Sequence, residues 1–186
     1  MLVRSGVCSA PLRVTLAFLL LCVGVGVAQA DNYWSSTGAQ CNVVQDSVVN
    51  ARYQLASGGV KHAATKTGII ALFCSVEKNT LNLGPNRLYV SYQDTDGTAS
   101  STLVTARLFR MGRFSSIGAI TQIGTDITSA SPSITSPAVA LDNYMVRPFS
   151  YVFDFDAEFY FVYVEIKRAS TAQTAILYGV GLDYDP

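Results

Sequence analysis

From Glu158 to Arg168 the chain alternates without a break. Tyr160, Val162, Val164 and Ile166 fall on one side of an extended strand, and Phe159, Phe161, Tyr163, Glu165 and Lys167 on the other. A two-residue repeat is the signature of a β-strand, because a helix would scatter the same residues around its axis. The first set is wholly apolar. The second is aromatic at its start and charged at its end, so one side is predicted to enter a core and the other to face outward.

Segments of the same kind recur, each bounded by Gly, Asn, Asp, Ser or Pro. In residues 67–77, Ile70, Leu72, Cys74 and Val76 share a face. Ile69, Ala71 and Phe73 opposite are also apolar, which predicts a central strand. Residues 88–94 bring Leu88, Val90 and Tyr92 together. Asp96-Gly97 follows, a pair that favours tight hairpin turns, so 88–94 and the strand at 103–110 are predicted to pair antiparallel. Residues 174–184 turn Ile176, Tyr178, Val180 and Leu182 inward. Gly179 and Gly181 lie on the opposite face, where a backbone or a ligand could approach closely. Residues 50–56 and 148–155 carry weaker strand patterns. Residues 115–137 are rich in Ser, Thr, Gly and Ile. Ile117, Ile120, Ile123 and Ile127 are spaced as on a helix, but Gly118, Gly124 and the β-branched residues oppose one. A strand pair or a long covering loop is expected there. Many short strands and few helix signals make the chain all-β, an antiparallel β-sandwich of jelly-roll type, with a closed barrel as the alternative.

The first thirty residues have a different character. Arg4 and Arg13 precede an apolar run ending in Ala28-Gln29-Ala30, with no acidic residue. A basic start, a short apolar core and small residues before a cleavage point are the parts of a secretory signal peptide. The run is short for a membrane span, which needs about 20 apolar residues. Residues 1–30 are therefore expected to be removed. Residues 31–186 are left as one β-sandwich domain, secreted or periplasmic, with no transmembrane anchor. Leu21 before Cys22 is too large for a lipidation site. Loss of the two leader arginines leaves 11 basic residues against 13 acidic. So mild and scattered a charge offers no footprint for nucleic acid or an anionic membrane. Arg107, Arg110 and Arg113 are the only close group, and on a strand 110 would face away from the other two.

Cys41 and Cys74 remain. In an exported chain an even count reads as a disulfide. It would close a loop of 33 residues, worth about 3–4 kcal/mol on the chain-entropy account. Buried free thiols are the alternative. Two cysteines and His62 are too few for a four-ligand zinc site.

A tyrosine-bearing strand at Tyr53 and a glycine turn, Gly58-Gly59-Val60, precede Phe73-Cys74-Ser75-Val76. Late in the chain the tyrosine-rich strand from Tyr160 to Ile166 is followed by Tyr178-Gly179-Val180. In these features the chain loosely resembles small uncharacterised exported β-sandwich proteins of bacteria. The resemblance implies an exported sandwich and no particular activity.

Residues able to do chemistry are sparse. Asp94-Thr95-Asp96-Gly97 has the start of a calcium loop, but Tyr92 and Leu103 stand where further ligands belong, and a hairpin turn explains the segment. Asp154, Asp156 and Glu158 alternate. If extended, they would share a face about 7 Å apart, a spacing that calls for a cation among them. They are the candidate calcium ligands, against the plainer reading of a solvated edge, and no other cofactor is expected. Two of these carboxylates could also serve glycoside hydrolysis. His62, in Gly58-Gly59-Val60-Lys61-His62, reads as a surface-loop residue, and no G-x-S-x-G elbow accompanies it. The aromatics are the stronger signal. Trp34, Tyr89, Phe159, Phe161 and Tyr163 are the candidate binding residues, since rings on an open sheet can stack on a glycan or bury another protein surface. A second buried layer would cover them instead. The chain is accordingly expected to be a non-catalytic binding or surface-interaction module. A self-associating extracellular structural protein is the rival class, and a small secreted hydrolase the third.

Overall fold

The computed structural model describes residues 32–44, 52–78, 84–97, 99–113, 119–130 and 143–184. The expected leader, residues 131–142, and residues 114–118 with Ile117 and Gly118 lie outside them. Two antiparallel sheets pack face to face. One runs β3 (Tyr53–Ala56), β4 (Gly59–His62), β11 (Ala175–Asp183), β6 (Arg87–Asp94), β9 (Asn143–Pro148), with β1 (Asn32–Thr37) also paired to β11. The other runs β2 (Asn42–Val43), β5 (Gly68–Val76), β10 (Glu158–Arg168), β7 (Thr102–Gly112), β8 (Ile120–Thr128). From β4 onward the chain lays β4-β11-β6-β9 over β5-β10-β7-β8, which is the double Greek key of a jelly roll.

The alternation read from the sequence sets the core. On β10, Tyr160, Val162, Val164 and Ile166 are buried. They lie in register with Val76, Cys74, Leu72 and Ile70 of β5 and with Arg110, Leu108, Ala106 and Val104 of β7. Leu88, Val90 and Tyr92 of β6 meet them from the other sheet. Cys41 and Cys74 are disulfide-bonded, with Cα atoms 4.4 Å apart. The bond pins a short 3-10 turn, Gly38–Gln40, where the chain leaves β1 for β2.

Four expectations are corrected. Strands 88–94 and 103–110 do not pair. β6 pairs with β11 and β9, while β7 pairs with β10 and β8. Gly97 does turn with positive φ, but the turn carries the chain from one sheet to the other, because both strands have an inward apolar face to bury. Residues 148–155 are not a strand; β9 ends at Pro148 and the chain continues irregularly to a turn at 155–157. On β11 the inward set is Ala175, Leu177, Val180 and Leu182. A bulge between Leu177 and Gly179 switches the face, so Ile176 and Tyr178 leave the expected register. Residues 59–62 are not a loop but strand β4, in a hairpin with β3 whose turn residues, Ser57 and Gly58, both have positive φ.

Two polar arrangements close the sandwich ends. Arg168, 5% exposed, donates to the carbonyls of Ala63, Ala64 and Lys66 before β5 and of Ser170, Thr171 and Gln173 after β10. At the β6–β7 crossing, Asp94 accepts from Ser129 Oγ at 2.5 Å and from Asp96 N at 3.2 Å. Asp96 accepts from Ser101 Oγ and, at 2.8 Å, from Thr102 N. Burial, and the Asp96 carboxyl within hydrogen-bonding reach, push the Asp94 carboxyl up to about 7.

Candidate functional site

The outward face of the five-stranded sheet is built by the residues between the buried ones. β5 contributes Ile69 and Phe73, β10 contributes Phe159, Phe161 and Tyr163, and β7 contributes Arg107, Phe109 and Met111. Register brings them together: Phe161 lies opposite Phe109, and Tyr163 lies between Phe73 and Arg107. The rings then pack on one another. Phe73 meets Phe161 edge-on at 5.3 Å and Phe109 stacks on Phe161 at 5.4 Å; Phe73 is 5.1 Å from Tyr163. Phe73 and Phe159 are 40% and 47% exposed, and Phe109, Phe161 and Tyr163 are half-buried. The Arg113 guanidinium sits 4.5 Å over the Phe159 ring, a cation–π contact at the edge of the ridge.

A polar network borders the ridge. Arg107 reaches Asp126 on β8 at 2.8 Å and Glu165 at 3.1 Å. Gln122 donates to Asp126 at 2.8 Å and the Tyr163 hydroxyl to Glu165 at 3.2 Å. Partial burial works against the Asp126 carboxylate, but the bonds from Gln122 and Arg107 outweigh it and hold the group below its ordinary range. A rigid apolar strip therefore lies beside oriented donors and acceptors.

Phe159, Phe161 and Tyr163 share this face, and Phe73 and Phe109 join them. Phe109 escaped the sequence reading although it follows Arg107 at the strand period; the signal lay in comparing faces across strands, which needs the register. Trp34 does not join the row. It lies opposite Leu182 on β1 and packs partly against the core. It lines a groove of about 400 Å³ at the sandwich edge with Gln40, Asn42, Ser75 and Glu77. Tyr89 is on the other sheet altogether.

The acidic run is not extended. Asp154 Oδ1 accepts from the amides of Asp156 at 3.0 Å and Ala157 at 3.1 Å, and its carbonyl from Glu158 N at 2.9 Å. The three side chains therefore do not share a face. Asp156 is exposed, 3.7 Å from Lys78. Glu158 turns to Arg110 at 2.5 Å, Tyr151 at 2.5 Å and Tyr160 at 2.6 Å. Burial opposes its charge, but the tyrosine and arginine bonds win and keep it below the usual carboxylate range. That is the wrong direction for a general acid. Among the described residues no three His, Cys, Asp or Glu side chains converge as metal ligands. His62 is 3% exposed within β4, with Nε2 at 3.2 Å from the Gly68 carbonyl and Nδ1 without a partner. Burial first, and Arg168 and Arg52 nearby, push it down to about 4 despite that bond.

No family model and no curated protein matches the chain. Among solved structures it is similar to a carbohydrate-binding module, TmCBM27, whose specific mannan recognition has been dissected structurally and thermodynamically. The TM-score is 0.38 at 10% identity, over 83% of this chain and 90% of that one. At that level the likeness carries no weight for ligand or role.

Proposed function

We propose that the chain is an exported, non-catalytic surface-binding module that works through the outward face of its five-stranded sheet, with the flat C–H faces of polysaccharide chains as the ligand. One observation carries the reading: Phe161 of β10 stacks on its register partner Phe109 of β7 and meets Phe73 of β5 on the diagonal, so a partly exposed aromatic row crosses the three inner strands of that sheet. Rings that brace one another lose little freedom on contact, so the area they offer is pre-organised. Arg107, Asp126 and Glu165 stand where sugar hydroxyls would meet them. The disulfide supports export. Co-sedimentation with insoluble glucans, mannans and chitin tests the reading. Phe73→Ser and Phe159→Ser, both at exposed rings, should each lower retention about tenfold or more with the fold intact, the scale of a lost aromatic contact. Undiminished retention, or none on any polymer, would overturn it.

The exposed Ile69, at 46%, and Ile120, at 59%, widen the same face with aliphatic surface, which favours a second copy of the chain as the occupant. Light scattering decides: a dimer dispersed by Phe73→Ser replaces the glycan reading with self-association.

A further inference from the structure

We propose that the opposite sheet carries a separate site for a single neutral pyranose unit, seated between Tyr89 and Tyr144. The observation begins with Gly181. Tyr89 of β6 and Gly181 of β11 are register partners, and a Cβ built on Gly181 would run into the Tyr89 ring at Cζ and Cε1. The ring therefore lies down across the neighbouring strand in the space a side chain would occupy. Its hydroxyl reaches Ser35 on β1. A tyrosine held this way presents a fixed flank to a pocket of about 360 Å³ on the β9 side.

The rest of the pocket suits one sugar. Val146, opposite Tyr89 in register, is its apolar floor, and Tyr144, 51% exposed, rises from β9 opposite Ser91. At one end Arg87 and Asp183 stand opposite each other in register. A pyranose has one apolar C–H face and a rim of hydroxyls that both donate and accept. The tyrosine ring answers the first. The arginine fork, the carboxylate and the Ser91 hydroxyl answer the second. The adjacent opposite charges leave the site with no net charge, which favours a neutral sugar over a uronic acid or an amino sugar. The expectation that something would approach the glycine face of β11 is met by Tyr89 itself and, at Gly179, by the β1 backbone, whose Ser36 carbonyl is 2.9 Å from a built Cβ.

The site stands apart from the phenylalanine ridge, so the two are tested independently. Ring resonances of the tyrosines are followed by NMR during titration with methyl glycosides of glucose, mannose, xylose and N-acetylglucosamine, with methyl glucuronide as the charged control. At least one neutral glycoside should give saturable shifts. Tyr144→Ala and Gly181→Ala should each weaken the association at least tenfold, while Phe73→Ser leaves it unchanged. Tyr144→Ala, at an exposed ring, guards against a folding artefact in Gly181→Ala. The proposal is overturned if no neutral glycoside saturates, if only the glucuronide does, if Tyr144→Ala binds as wild type, or if Phe73→Ser abolishes binding.

Discussion

His62 and Asp94 hold opposite protonation anomalies inside one sandwich. His62 resists its proton until about pH 4, against an unfolded value near 6.5. Between those values the unfolded chain binds the extra proton, so this group's contribution falls as pH drops. Asp94 keeps its proton up to about pH 7, against 3.8 unfolded. In that window the folded chain binds the extra proton, so its contribution falls as pH rises. From pH 4 to 6.5 the two slopes oppose, and stability should be nearly flat where either alone would tilt it. His62→Gln should expose a decline in stability with rising pH, and Asp94→Asn a rise. Each should approach about 1.4 kcal/mol per pH unit at steepest. Urea melts at half-unit steps read the slopes; parallel flat profiles in both variants would contradict the assignment. Neither group was legible in the sequence. His62 stands among loop-forming residues, and only the hairpin turn at Ser57-Gly58 commits it to a strand. Asp94 sits before a hairpin-like pair, and only tertiary topology buries it.

Strands themselves were the legible part, because an alternating pattern is a local property. β10 matches its sequence boundaries, and β5, β6 and β7 do so within a residue or two. What the pattern hides is pairing. A jelly roll sends these two strands, β6 and β7, to different sheets, so the 88–94/103–110 hairpin does not form. The Asp-Gly turn is local and cannot choose between the two. The bulge in β11 hides for the same reason: Ile176 and Tyr178 fit the period as well as Ala175 and Leu177. At the strand ends, Arg168 replaces regular structure. Its guanidinium satisfies carbonyls from two connections at once, tying β4–β5 and β10–β11 together. Arg168→Met keeps most of the volume but leaves those carbonyls without their donor. It should cost about 3–5 kcal/mol, the scale for breaking a buried charged network. Denaturant unfolding would show it. A loss below about 1 kcal/mol would mean that water replaces the arginine.

At the scale of the molecule, the pairing of β1 with β11 sets Asn32 beside Asp183, so the chain enters and leaves the described fold at one place. A pull applied to those two points acts across the β1–β11 ladder rather than along it. Its hydrogen bonds then open one after another, as a zipper does, and the force needed is low. On the β1 side the unzipping cannot run on. After Cys41 the load meets the Cys41–Cys74 bond, and about ten residues, on the order of 30 Å of slack, are all that is released. Held by its ends, the sandwich should behave as a tether with a soft first extension and a covalent stop. Optical-trap extension curves should show one short, low-force step in the oxidised protein. After reduction the stop should vanish, with β2 following β1 off the body of the fold under the same small load.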